Sequence, residues 1–227
     1  MIEAFRVGAV SRNGTLWDGL DLSVGDGEVC VVTGPPASGK TLLLRILRGD
    51  RRPDAGDVVA GGESLYRGNS GAARAFRAAS GVVPESFPAV GGHAVRELFR
   101  LSSVAGAGIS AKERKEREEE LLSLMGLPGA RDAGLSSLSV SERARVSLAV
   151  ELFRGPQVLF ADMLLHNAGG EWADLLGGLF RALAREGKTV LLAERTIPER
   201  WKTMGGGEGI VKGPFRLFRL APKGEGP

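Results

Sequence analysis

Eight consecutive residues, Gly34-Pro35-Pro36-Ala37-Ser38-Gly39-Lys40-Thr41, have the spacing G-x-x-x-x-G-K-[ST]. Such a loop turns its backbone N–H groups around a β-phosphate. The lysine ammonium reaches β- and γ-phosphate oxygens, and the threonine hydroxyl can ligate Mg²⁺. Well downstream, Asp162 closes the apolar run Val158-Leu159-Phe160-Ala161. A carboxylate ending a strand beside the loop can hold the same cation, usually through water; the bland alternative is an aspartate that begins a turn. The 2 histidines, His93 and His166, have no Ser or Cys partner at a recognisable spacing and read as loop residues. Nor does the sequence contain a Cys/His cluster of metal-ligand type. The chemistry on offer is that of a nucleotide phosphate chain with Mg²⁺.

The elements needed to position these residues are visible in the pattern. Glu28-Val29-Cys30-Val31-Val32-Thr33 reads as a buried strand feeding the loop, and a helix from Lys40 to about Gly49 directs its N-terminus at the phosphates. Residues 1–33 hold strand-like runs at Ile2 to Val7, Leu20 to Val24 and Val29 to Thr33, separated by Gly and Asp turns, as in an antiparallel edge sheet. Arg52-Pro53-Asp54-Ala55-Gly56 is a turn before a short strand from Asp57 to Ala60; residues 64–80 are helical in part, and Gly81 to Val83 is a strand. From about 87 to 140 the texture changes. A helix is expected from Val95 to Leu101, then a Gly/Ala loop from Ala105 to Ile109, then a highly charged helix from Lys112 to Met125. That charge run reads as a solvated face with i,i+4 pairs, buried at Leu121, Leu122 and Met125. This stretch is a candidate helical subdomain within a single domain spanning 1–227. Beyond it come a helix from Ser141 (as N-cap) to Phe153, a strand at Val158 to Asp162, a helix at Glu171 to Arg185 and a strand at Thr189 to Ala193. Strands alternating with helices after a phosphate loop predict an α/β fold with a mostly parallel, doubly covered sheet. Phe215 to Leu220 is strand-like and carries no legible motif.

Composition narrows the class. With 227 residues, 43% of them hydrophobic, the chain can bury a sizeable core. A net charge of +3 is too mild for a dedicated nucleic-acid binder, although Lys212, Arg216, Arg219 and Lys223 make the tail basic. The single cysteine, Cys30, cannot form an internal disulfide and reads as a small core residue, which fits a reducing compartment. Neither a signal peptide nor a bilayer-long apolar stretch is present. A cytoplasmic location is expected, with membrane association only through a partner.

On these motifs the chain resembles the ATP-binding subunits of ABC transporters, and most closely their FtsE/LolD/MacB-type branch. The resemblance covers nearly the whole chain. Its carriers are Gly27-Glu28, Leu42-Leu43-Leu44-Arg45, Arg52-Pro53-Asp54-Ala55-Gly56, Val158-Leu159-Phe160-Ala161-Asp162 and Thr189-Val190-Leu191-Leu192-Ala193. Leu138-Ser139-Val140-Ser141-Glu142-Arg143-Ala144-Arg145-Val146 resembles the family's LSGGEQQRV signature. The resemblance implies a P-loop NTPase core with an antiparallel β subdomain and a helical subdomain. It also implies ATP or ADP with Mg²⁺, pairing into homo- or heterodimers of ABC subunits, and a permease-type partner similar to FtsX.

The departures from the family pattern bear on mechanism. Met163 stands where the family has the glutamate that polarises water, and a thioether cannot accept that proton. Arg195, preceded by Glu194, replaces the histidine that contacts the γ-phosphate. Glu85 replaces the Mg²⁺-sensing glutamine and, as a hard oxygen donor, can keep a metal contact. The signature glycines are Val140 and Ser141, between Ser139 and Glu142. Leu164-Leu165-His166-Asn167-Ala168-Gly169 keeps only the Asn of the family's aspartate loop. The adenine-stacking aromatic falls near Ser11 or Arg12; Trp17 either substitutes for it or packs in the edge sheet. Family members act as head-to-tail pairs, each nucleotide lying between one chain's phosphate loop and the other's signature. Here both losses fall on the same chain, so no pairing is expected to give a fully equipped site. Three functions follow: a nucleotide-binding subunit with weak or no hydrolysis, an active ATPase using Glu194 and Arg195, or a pseudo-ATPase interaction module.

Overall fold

The computed structural model describes residues 1–12, 14–68, 71–87, 93–102, 109–199, 201 and 215–220. Two sheets share one helix. Strands β1 (Ile2–Ser11), β2 (Gly14–Val24), β4 (Ala55–Ala60) and β5 (Glu63–Ser64) form an antiparallel sheet in the order β2-β1-β4-β5. Strands β3 (Val29–Thr33), β6 (Ser80–Val83), β7 (Val158–Asp162), β8 (Thr189–Glu194) and β9 (Phe215–Arg219) form a second sheet in the order β6-β7-β8-β3-β9, parallel throughout. Helix α1 (Lys40–Leu47) lies between them and buries Leu43, Leu44, Ile46 and Leu47.

The period-2 alternation of a strand divides the core in two. Val29, Val31, Val190, Leu192, Leu159 and Ala161 face one cluster, which is completed by helices α5 (Val140–Arg154) and α7 (Ala173–Arg185). Cys30, Val32, Leu191, Ala193 and Phe160 face the other, with α1 and the antiparallel sheet. Because both faces are covered, the strands read as continuous apolar runs. Burial, the main cause, pushes the Cys30 thiol up to about 12.

The structure corrects several local expectations. Val29–Thr33 leaves the antiparallel sheet for an interior place in the parallel one, between β8 and β9, and β4 takes the place beside β1. Within residues 64–80 the helix is α2 (Gly71–Ala79). The N-cap of α5 is Ser139, two residues before Ser141: its side chain accepts from the Glu142 N–H while the Glu142 carboxylate accepts from the Ser139 N–H. That Ser-x-x-Glu capping box is a stronger start signal than a lone serine. The helix expected from Glu171 opens as a 3-10 turn (Gly170–Trp172), and α7 begins only at Ala173. His166 lies not in a loop but in the short helix α6 (Leu164–Ala168).

Between the strands lie α3 (Val95–Ser102), α4 (Ala111–Leu124) and two 3-10 turns, Ala130–Asp132 and Leu135–Ser137. In the charged helix α4 one carboxylate is not solvated. Glu118 is fully buried and accepts from Arg131 Nε at 2.6 Å. Of the expected Gly/Ala loop only Ile109 is among the described residues; Lys212 and Lys223 also fall outside them. Arg216, in β9, is tied into the fold by the Ser23 carbonyl and by Glu28. Among the described residues no helix is long and apolar enough to cross a membrane.

Candidate nucleotide site

The loop from Gly34 to Thr41 leaves the end of β3, which is flanked by β8 and β9; Thr33 sits level with Glu194 on one side and Arg219 on the other. Close packing explains its glycines. A Cβ on Gly34 would lie 2.8 Å from the Leu220 carbonyl oxygen. Gly39, at φ 90°, faces the Trp17 ring, where a Cβ would come within 2.6 Å of Cζ2. Lys40 folds back over the loop, its Nζ donating to the carbonyls of Gly34 and Pro35 at 2.8 Å each and to Ser38 Oγ at 3.4 Å. Burial, and next the charge of Arg195, lower its pKa, while Asp162, Glu85 and Glu194 act the other way. These charges, expected separately from the sequence, converge on Lys40.

Thr41, Glu85 and Asp162 line one cavity of about 260 Å³, together with Leu44, Val82 and Phe160. Asp162 is 8% exposed and is hydrogen-bonded to Thr41. Burial, the largest cause, and the nearby Glu85 charge raise its pKa; Thr41 and Lys40 lower it. Its Oδ1 is buried without a hydrogen-bond partner among the described residues. An orphaned buried carboxylate oxygen beside a hydroxyl is costly unless something completes it, and a hard divalent cation taking oxygen ligands does so. The residues present therefore fit Mg²⁺.

Glu194 occupies a different setting. It is 1% exposed, and its Oε1 accepts from the Leu165 N–H at 2.6 Å at the start of α6. Burial pushes its carboxyl up to about 8, against the backbone N–H groups of Leu165 and His166. It borders a second cleft, of about 490 Å³, shared with Arg195, His166, Gly170 and Ala173. Arg195 is exposed. Met163, only 4% exposed, starts α6 with a left-handed backbone, φ 54°, and its N–H donates to the Ala193 carbonyl at 2.8 Å. Its thioether is packed inside.

Sequence reasoning missed the role of α6, which ties the site residues together. Asn167 Nδ2 donates to the Glu85 carbonyl at 2.6 Å, and Ser141 Oγ donates to the Ala168 carbonyl at 2.6 Å. Glu194 holds the front of the same helix. The signature-like turn thus reaches the nucleotide side through α6. Val140 stands 59% exposed beside it. Trp17 packs in the sheet, with Nε1 donating to the Ser38 carbonyl at 2.8 Å. His93 bonds Glu97 at 2.7 Å, apart from these groups.

Comparison with known proteins agrees with this geometry. A family model described as "ABC transporter" matches residues 17–163. Methionine import ATP-binding protein MetN of Halalkalibacterium halodurans is 30% identical over 216 residues, covering 92% of this chain and 64% of that protein. An uncharacterized ABC transporter ATP-binding protein of Thermotoga maritima is 32% identical over 180 residues, covering 79% of this chain and 76% of that protein. The chain thus spans less than two thirds, 64%, of the length of MetN. A dimeric bacterial ABC transporter cassette superposes with a TM-score of 0.81 at 22% identity, covering 97% of this chain and 94% of the other. The same cassette in a post-hydrolysis state, bound to ADP and Pi, gives 0.81 at 20%, covering 98% and 97%. These relatives do not single out the FtsE/LolD/MacB branch that the motifs resembled; those with a named cargo are methionine importers. The α/β architecture is that of ABC cassettes, and the cofactor of such cassettes is ATP or ADP with Mg²⁺. The chain belongs to the ABC transporter family, as one of its ATP-binding domains.

Proposed function

We propose that this chain is the ATP-binding subunit of a membrane transport assembly, holding ATP or ADP with Mg²⁺ and hydrolysing it slowly or not at all. The observation that carries the proposal is the contrast at the end of β7. Asp162 presents an orphaned oxygen beside Thr41, while the next residue is the buried, left-handed Met163 rather than a carboxylate. Gly34 to Thr41 would hold the phosphates, and Thr41 and Asp162, with Glu85 at the rim, would hold the metal. Mg²⁺ at that place neutralises phosphate charge and would relieve the repulsion between Glu85 and Asp162. No side chain at position 163 is left to take a proton from water. Loss of a positioned base lowers a rate by about 10²–10⁴.

The partners belong to the same proposal. The relatives named for methionine import, and the paired cassette among the solved structures, support a permease-type partner and a dimer of ATP-binding subunits. Attachment at the inner membrane face would follow from that partner. The cargo is not carried over at about 30% identity.

Calorimetric titration with ATP, with and without Mg²⁺, followed by single-turnover hydrolysis on the same sample, tests the proposal. Binding that needs Lys40 and Mg²⁺ is expected, with turnover rising about 10²-fold or more in Met163→Glu. Rapid wild-type turnover abolished by Lys40→Ala would refute slow hydrolysis. A second reading, hydrolysis assisted by Arg195, draws on the charge coupling of Arg195 to Lys40. It expects Arg195→Ala to slow single turnover at unchanged affinity. Glu194 is a weaker candidate there, because its carboxyl already accepts the Leu165 N–H. The interaction-module alternative requires that neither ATP nor ADP binds.

A further inference from the structure

Trp17 is positioned by β2, independently of the phosphate loop. Its partner in the strand register is Ala9 of β1, it is 9% exposed, and it belongs to the same apolar cluster as Leu43 and Leu44 of α1. From that fixed base the indole meets the loop at the Ser38–Gly39 peptide. Nε1–H donates to the Ser38 carbonyl at 2.8 Å. A Cβ on Gly39 would lie 2.6 Å from Cζ2 and 3.1 Å from both Cε2 and Nε1, so only glycine lets the ring come this close. The Ser38–Gly39 peptide, like every other among the described residues, is trans, and across a trans peptide the carbonyl and the following N–H point in opposite directions. Holding the Ser38 carbonyl toward the indole therefore turns the Gly39 N–H away from it. In a G-x-x-x-x-G-K loop that N–H belongs to the phosphate cradle. Ala37, two residues earlier, is a non-glycine residue held left-handed at φ 61°, a conformation that persists where the surroundings enforce it.

We infer that Trp17 is a positioning residue that locks the Ser38–Gly39 peptide in its phosphate-accepting orientation, and that it is not a platform for the nucleobase. The inference rests on the nucleotide-binding function proposed above. It rejects one of the two roles the sequence left open for Trp17, because the residue is 9% exposed, its N–H is engaged by the loop and Gly39 is packed against the ring.

Trp17→Phe keeps an aromatic ring and removes the N–H. Its affinity should be measured against ATP, GTP and inorganic triphosphate, each with Mg²⁺, alongside the melting temperature of the free protein. Losing one N–H···O contact is expected to weaken all three ligands by the same factor, about three- to tenfold. A base platform would weaken ATP and GTP and spare inorganic triphosphate, which would overturn the assignment. A purely structural role would lower the melting temperature with all affinities unchanged, and that also overturns it. Failure of the wild-type protein to bind any of the three defeats the nucleotide-binding function itself, and the Trp17 role with it.

Should Trp17→Phe fold poorly, tryptophan emission gives a second measurement. Of the 3 tryptophans, Trp172 packs against Arg145 and Trp201 against Phe180 and Phe215. Emission is expected to shift on adding inorganic triphosphate with Mg²⁺, and the shift should survive in Trp172→Phe. No shift at saturation would refute the positioning role.

Discussion

Glu194 sits where burial and hydrogen bonding act in opposition. Burial raises its carboxyl to about 8, although the N–H groups of Leu165 and His166 favour the charged form. In the unfolded chain a glutamate titrates at about 4.3. Between those values the native state keeps a proton that the unfolded state has lost, so stability falls as pH rises through that window. The raised pKa of Asp162 acts in the same direction. The expected loss from pH 5 to pH 8.5 is on the order of 2–4 kcal/mol, read from urea midpoints. Glu194→Gln keeps the acceptor oxygen for Leu165 and should flatten most of this dependence. An equally steep profile in that variant would place its origin elsewhere.

Among the elements, α4 shows how an apparent surface pattern can hide a buried charge. Lys112 and Glu116 form the expected i,i+4 pair at 3.8 Å on the solvent side. Glu118, two residues further and so on the opposite, inner face, meets Arg131 from the 3-10 turn at Ala130–Asp132. Arg131→Ala leaves that carboxylate buried without its partner and should cost about 3–5 kcal/mol in chemical denaturation. Arg131→Ala combined with Glu118→Leu should recover most of the loss, since a buried ion pair can often be replaced by packed apolar residues. Failure of the double variant to recover would mean the arginine itself, rather than the pair, supports the turn. The capping box at Ser139 and Glu142 was open to view in the sequence as Ser-x-x-Glu. Glu118 was not, because nothing in a run of charges marks which one faces inward until α5 and the 3-10 turns are packed against it.

Across the whole molecule, the site is assembled from both sheets. The loop follows a strand of the parallel sheet, Trp17 comes from the antiparallel one, and β9 closes the far side through Leu220, whose N–H donates to the Thr33 carbonyl at 2.7 Å. A nucleotide held there stabilises an interface between layers. At 100 times its dissociation constant a native-state ligand adds about 2.7 kcal/mol, and for a domain of this size each kcal/mol shifts the melting temperature by about 2–4 °C. Saturating Mg²⁺-nucleotide should therefore raise the melting temperature by about 5–10 °C in scanning calorimetry. Lys40→Ala should abolish the shift, and a full shift in that variant would show that the nucleotide binds somewhere other than the phosphate loop.

The sequence alone determined the phosphate loop, the strand before it, the helix after it and the α/β class. Those features depend on contiguous residues, local backbone freedom and hydrophobic period, all of which are short-range. Only the tertiary structure decided that Val29–Thr33 lies inside a parallel sheet, between Thr189–Glu194 and the edge strand Phe215–Arg219. It also decided that the Asp162 carboxylate meets Thr41 with one oxygen left over, that Glu194 turns inward to α6, and that Trp17 closes on Gly39. Each of these joins residues distant in the chain, and which faces meet is set by how the two sheets and their helices pack. The capacity to hold a phosphate chain is therefore written in one segment. The orientation and charge state of the groups around it are properties of the assembled layers.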